Sequence, residues 1–182
     1  AIFQKERKIG YSQRKFSPDE KGYTLTENTF MRINTMGMVQ DINIMTTGSL
    51  NPDLTLSGFD FFLQSSLFGF HATGVVEGDK LVILTKGNRL EIPLEQSIYL
   101  SSGLLDAVLT AGLEKGRSRQ FNVFDPSTMG QRPVTVTMAG NEMVEILGER
   151  IKAKRVILDF LGTSQTSWIS PEGDVVREEG IM

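Results

Sequence analysis

The chain has no cysteine. That excludes disulfides, thiolate metal sites and a cysteine nucleophile within these residues, while leaving the compartment open, because exported and cytoplasmic domains alike lack the residue. Histidine is almost as scarce, with His71 the sole example. A histidine acting as base needs a nucleophile and an orienting partner. Without cysteine that nucleophile would be Ser, Thr or Lys, and no G-x-S-x-G elbow presents one. One histidine also falls short of the ligand spacing of a metal site, so His71 reads as a structural or surface residue and no metal is expected. The 18 glycines scatter over turns and form neither G-x-G-x-x-G nor a P-loop, so no phosphate cradle or other cofactor is expected. Long apolar runs are missing too. The greasiest segment, Leu104–Leu113, is far shorter than the roughly 18 residues of a membrane-spanning helix. No signal peptide opens the chain, and Ala1 reads as a mature terminus or a trimmed boundary.

Charge of one sign is also lacking. There are 19 basic and 22 acidic residues, for a net charge of −3. Lys5, Arg7, Lys8, Arg14 and Lys15 are spread along a strand-like segment and read as a solvated edge, so nucleic-acid binding is not expected. The carboxylates offer no enclosed pair with split acidities of the kind general acid–base chemistry uses. Glu77 and Asp79 flank a turn glycine, and Glu178–Glu179 lie near the chain end.

What is present is a period of two. Tyr23, Leu25, Met31 and Ile33 alternate with Thr24, Thr26, Arg32 and Asn34, the pattern of a half-buried strand. Ile2–Phe16 reads as a preceding strand, joined by the turn Ser17–Gly22. Phe59, Phe61 and Leu63 share one face of a further strand, and Phe68, Phe70, Ala72 and Val76 share a face of the next. Leu81–Thr85 follows. Beyond residue 117, strands are expected at 120–124, 134–138, 143–147, 151–160, 166–169 and 175–177, with Ala139–Asn141, Leu147–Glu149, Leu161–Gly162 and Ser170–Gly173 as breaks. The alternation fails once. Residues 102–115 hold Leu104, Leu105, Ala107, Val108, Leu109 and Leu113, a helix apolar around most of its circumference, with Ser101 or Ser102 as cap and Lys115–Gly116 as its end. The expected fold is mainly β: one domain over 1–182, built as a long antiparallel meander that curls into a half-open barrel with the short helix as plug.

Two candidate sites follow. Asp125-Pro126-Ser127-Thr128 sets hydroxyls beside a carboxylate, a remote reading as a hydrolase loop; without a base the segment reads better as a turn. The concave face under the helix is the second, with Phe59, Phe61, Phe68, Phe70, Leu105, Leu109 and Trp168 as candidate contacts to an apolar ligand.

Taken in order, Asn51-Pro52-Asp53-Leu54-Thr55-Leu56, Gly58-Phe59-Asp60-Phe61, Gly74-Val75-Val76-Glu77-Gly78, Val123–Met129, Trp168-Ile169 and Glu172–Glu179 resemble the region N-terminal to the catalytic domain of bacterial transglutaminase-like proteins. More distantly the chain is similar to the half-barrels of lipoprotein carriers and related envelope proteins. The resemblance implies a non-catalytic accessory or binding module in the periplasm or cell envelope, partnered by a transglutaminase-like domain beyond Met182. It implies, alternatively, a free-standing carrier of lipid or lipoprotein. In neither case is an activity expected of these residues themselves.

Overall fold

The computed structural model describes residues 1–4, 7–35, 37–146, 148–160 and 162–180. Lys5 of the basic run, Leu147 at a predicted strand end, the turn residue Leu161 and the terminal Met182 lie outside them.

The described residues form fourteen strands and one short helix, so the fold is mainly β. The first eight strands, β1 (Ile2–Gln4), β2 (Arg7–Pro18), β3 (Tyr23–Thr35), β4 (Met38–Leu50), β5 (Leu56–Ser65), β6 (Gly69–Glu77), β7 (Lys80–Thr85) and β8 (Asn88–Pro93), make one sheet in chain order. Every neighbour is antiparallel. A two-residue strand, β9 (Tyr99–Leu100), then crosses to the second sheet and leads through a 3-10 turn (Ser101–Gly103) into α1 (Leu104–Thr110). The second sheet holds β10 (Ser118–Asp125), β11 (Gly130–Ile146), β12 (Glu149–Phe160), β13 (Thr163–Ile169) and β14 (Val175–Glu179) in order, with β9 lying parallel against β10. The two sheets curl about α1 as a half-open barrel, the shape a twisted meander adopts when one helix must serve its apolar face.

The helix is shorter than its apolar run suggests. Gly112 takes φ 62°, a left-handed conformation that ends a helix, and donates to the Leu109 carbonyl at 3.1 Å. The stop is therefore Gly112 and not Lys115–Gly116. No serine caps the start: Gly103 holds that position without a side-chain bond. Leu104, Leu105, Ala107 and Val108 are buried, and Leu109 is half-buried against the same core.

One core joins everything around the helix. Leu25, Leu50, Phe59, Phe61 and Ile83 come from the first sheet, Phe121, Val123, Phe124, Val134 and Val136 from the second. Phe59 and Phe124 meet at 5.1 Å between ring centres, stitching the sheets together.

Ala139–Asn141 is not a turn. β11 runs through it, and the register to β12 slips between Met138 (opposite Val156) and Gly140 (opposite Arg155). Ala139 is the extra residue of a bulge. The segment after α1 pins the bulge: Gly116 donates to the Met138 carbonyl at 2.7 Å, and the Met138 amide donates to Arg117 at 3.0 Å. Because the slip is one residue, the sides exchange. Val134, Val136 and Met138 face the main core, whereas Val144, further along the same strand, joins a second small cluster with Ala153 and Trp168.

Candidate functional site

The inward face of the first sheet is built of cross-strand rungs, and its exposure changes from one rung to the next. The first rung is Phe16, Leu25, Gly48, Phe59, Gly74 and Ile83. It lies under β9 and the helix. A Cβ on Gly48 would stand 2.4 Å from Leu100 Cδ2, so a larger residue there would have to displace the end of that buried leucine. The second rung is Arg14, Glu27, Thr46, Phe61 and Ala72, still closed over Phe61 and Ala72. The third is Ser12, Thr29, Ile44, Leu63 and Phe70. Here Ile44, Leu63 and Phe70 are half-buried, packed against the core and partly open to solvent. A helix of seven residues, about 10 Å long, is too short to span three rungs, and the partly exposed third rung is the candidate trough.

The trough has one apolar side and one polar side. Phe70 rests against the buried Phe61 ring at 6.1 Å between centres. On the β2–β3 side, Thr29 Oγ1 donates to Ser12 Oγ at 2.9 Å, and Ser12 Oγ donates to Glu27 Oε1 at 3.1 Å. Burial pushes the Glu27 carboxyl above its ordinary range. The Ser12 bond and Arg14 oppose that rise, and the charges of Glu178 and Asp125 add to it. Those two belong to the second sheet.

A clamp holds the helix beside the trough. Arg14 Nη1 donates to Asp106 Oδ2 at 2.5 Å and to the Ser102 carbonyl at 3.0 Å, tying β2 to the helix start. Burial raises the Asp106 carboxyl, and Arg14 pulls it back.

The seven residues singled out from sequence fall into separate places. Phe59, Phe61 and Leu105 are buried in the main core, and Leu109 and Phe70 are half-buried at its margin. Phe68 does not belong to the face of Phe70. It stands in the β5–β6 turn, where its amide and carbonyl bond Ser65, and its ring is exposed. Trp168 is on the other side of the second sheet from Ile169: it opposes Arg155 and Arg177, donates Nε1–H to Glu142 at 3.2 Å, and packs on Val144 and Ala153. Its pairing with Arg155 puts it there, on the side of β12 that carries Ala153, while the bulge at Ala139 brings Val144 of β11 to the same side. Ile44, Leu63, Ser12, Thr29 and Glu27 complete the trough. Their spacing of two within each strand was visible, but their alignment across strands depends on hairpin registers.

The hydroxyl loop is a turn. Asp125 Oδ1 accepts from the Ser127 amide at 2.9 Å and the Ser127 hydroxyl at 2.7 Å, and Arg132 bonds the other oxygen at 3.2 Å. Met129, with φ 51°, takes the strained position ahead of Gly130. His71 sits on the outward face of the first sheet, exposed, 3.1 Å from Asp60. Among the described residues no group of His, Asp and Glu side chains could hold a metal. No described helix is long and apolar enough to cross a membrane. Two shallow polar depressions, one lined by Gln13, Arg14, Lys15, Thr26 and Asn28 and one around Asp19–Lys21 and Ser57, include none of the third rung.

No family model matches the chain. No curated protein matches it either. The architecture is shared with solved structures. A β-barrel-like protein of the domain of unknown function DUF1849 from Brucella abortus superposes with a TM-score of 0.63 at 15% identity, over 91% of this chain and 79% of that one. A DUF1089 family protein from Pseudomonas aeruginosa superposes with a TM-score of 0.60 at 11% identity, over 100% of this chain and 96% of that one. Neither is described as a transglutaminase or a lipoprotein carrier. At such identities the likeness is one of fold.

Proposed function

We propose that this chain is a non-catalytic binding module that takes an apolar chain segment into the trough of Ile44, Leu63 and Phe70. The observation that carries the reading is that third rung, half-buried and partly open to solvent beside a helix too short to span three rungs. The ligand chemistry follows from the two sides: an acyl chain or aliphatic side chain against Leu63 and Phe70, with a hydrogen-bonding group toward Ser12, Thr29 and Glu27. The closed interior, where Phe59 meets Phe124, supports a surface trough over an internal cavity. A hydrolytic role for Ser127 or Thr128 has no support, since the Ser127 hydroxyl is spent on Asp125 and no described base adjoins it.

In this reading the module serves in the cell envelope beside a transglutaminase-like domain, whose exposed segment would fill the trough. A free-standing carrier of lipid is favoured by one observation: the same fold accounts for 96% of the Pseudomonas aeruginosa chain, so it can stand nearly alone. The test is uptake of N-phenyl-1-naphthylamine, an apolar fluorescent probe, followed by competition with a fatty acid. Folded protein should take up the probe saturably, and Leu63→Asn should weaken uptake while keeping the circular dichroism of the parent. Absence of saturable uptake by the folded parent refutes the trough.

A further inference from the structure

The eight-strand meander sorts its connections into two ends. The turns β1–β2, β3–β4, β5–β6 and β7–β8 lie at one end, and β2–β3, β4–β5, β6–β7 and the exit from β8 lie at the other. The two ends differ in chemistry. The second is acidic: Asp19, Glu20, Asp53, Glu77, Asp79 and Glu95 gather there, with Lys21 and Lys80 as its cations. The first is apolar and basic. Phe3, Met38, Val39, Leu67 and Phe68 stand in or beside its turns, each between 56% and 71% exposed. Among the described residues Arg7, Lys8 and Lys86 are its cations, and the carboxylate beside these turns, Asp41, is engaged by Arg32 at 2.6 Å.

Folding leaves such large side chains in water at a cost, and five of them grouped on hairpin tips mark a docking surface. We infer that this end docks on a lipid bilayer carrying anionic headgroups. Hairpin tips are narrow and separate. That shape suits penetration between headgroups, where apolar side chains leave water and flanking cations meet lipid phosphate. The opposite polarity of the two ends orients the molecule, with the acidic turns held away from a negative surface. The tips are also continuous with the trough: Ser65 at the Leu67–Phe68 turn is the partner of Ile42, one rung beyond Ile44 and Leu63. The inference goes beyond the binding reading and rests on the tips alone, so vesicle binding can fail while probe uptake succeeds, and the reverse.

The experiment is flotation with vesicles of phosphatidylcholine, with and without phosphatidylglycerol. Binding should require phosphatidylglycerol and weaken with salt. The double variant Leu67→Ser/Phe68→Ser should lower the partition coefficient at least about tenfold, and Lys8→Glu by about fivefold or more. Met45→Ser/Val75→Ser, exposed on the sheet's outward face but away from these tips, should bind like the parent. If the first variant melts early, Met38→Ser/Val39→Ser replaces it. The absence of native cysteine permits a second readout, an environment-sensitive dye on Leu67→Cys, which should shift to the blue on anionic vesicles. No binding by the parent, equal loss in the outward-face control, an unshifted dye, or tips that mediate self-association without vesicle binding would each overturn the inference.

Discussion

Gly74→Ala adds one carbon where the first sheet has no room for it. An ideal Cβ there stands 2.1 Å from Phe59 Cε1, 2.7 Å from Cδ1 and 2.8 Å from Cζ. Ordinary contact begins near 3.4 Å, so the ring must retreat by more than an ångström. It has nowhere to go: Phe59 is buried and its ring leans on Phe124, which is fully buried in the second sheet. Backbone conformation is not at issue, since Gly74 has no left-handed φ. The penalty is overpacking, about 1–3 kcal/mol. At about 2–4 °C per kcal/mol for a chain of this size, the melting temperature should fall by about 2–12 °C. Phe59→Leu removes the clashing ring edge and costs about 1–3 kcal/mol for the space it leaves. In that background the Gly74→Ala penalty should shrink by about half or more, a coupling of at least 0.5 kcal/mol or so in a double-mutant cycle read by urea denaturation. A neutral Gly74→Ala, or strict additivity of the two changes, refutes the account of how the sheets meet.

Arg14→Ala leaves the Asp106 carboxylate partly buried without its cation, and should cost about 1–3 kcal/mol in urea denaturation; Arg14→Ala/Asp106→Ala should recover part of the loss. For Glu27 the sign is the reverse of the usual carboxylate. Its pKa in the fold is raised above the ordinary 4.5, so its stabilising contribution is complete below that value and is lost as pH rises through the folded one. Glu27→Gln should therefore raise the melting temperature at pH 7, with the gain vanishing in scans below pH 4.5; a gain that persists in acid refutes the linkage. Trp168→Ala empties the small cluster and should cost about 3–5 kcal/mol, yet leave naphthylamine uptake per folded molecule unchanged, because the indole is on the far side of its sheet from the trough.

The meander was legible because alternation reports burial on one face at a time. Phe59, Phe61 and Leu63 stand where their period of two puts them, and the Ser17–Gly22 connection becomes a turn in which Asp19 accepts from the Lys21 and Gly22 amides. The same signal failed at residues 139–141, where a break in phase means either a turn or a bulge. Both use Gly140; the difference lies in Gly116 and Arg117, which hold Met138 from outside the strand. Trp168 lies off the trough for a simpler reason: it alternates with Ile169, which faces the main core. Phe68 keeps a spacing of two from Phe70 although residues 66–68 form the turn between β5 and β6, so the period runs on across the break. Arg14 and Asp106 are 92 positions apart, and no local pattern joins them. The trough is a property of registers: Ile44, Leu63 and Phe70 look like any other inward residues until α1 is found to stop at Thr110.

The bulge at Ala139 divides the longest hairpin between two allegiances. On one side of it β11 and β12 belong to a core that spans both sheets; on the other they rest on Val144, Ala153 and Trp168 with a few half-buried neighbours. So small a cluster holds far less free energy against opening than the main core, and cooperative units of unequal size open independently. Amide hydrogens of residues 141–146 and 148–154 should therefore exchange with solvent through a local opening that leaves the rest of the barrel shut. The hairpin is then a hinged flap with its own melting point, and the pivot is the residue that reverses which way its side chains face.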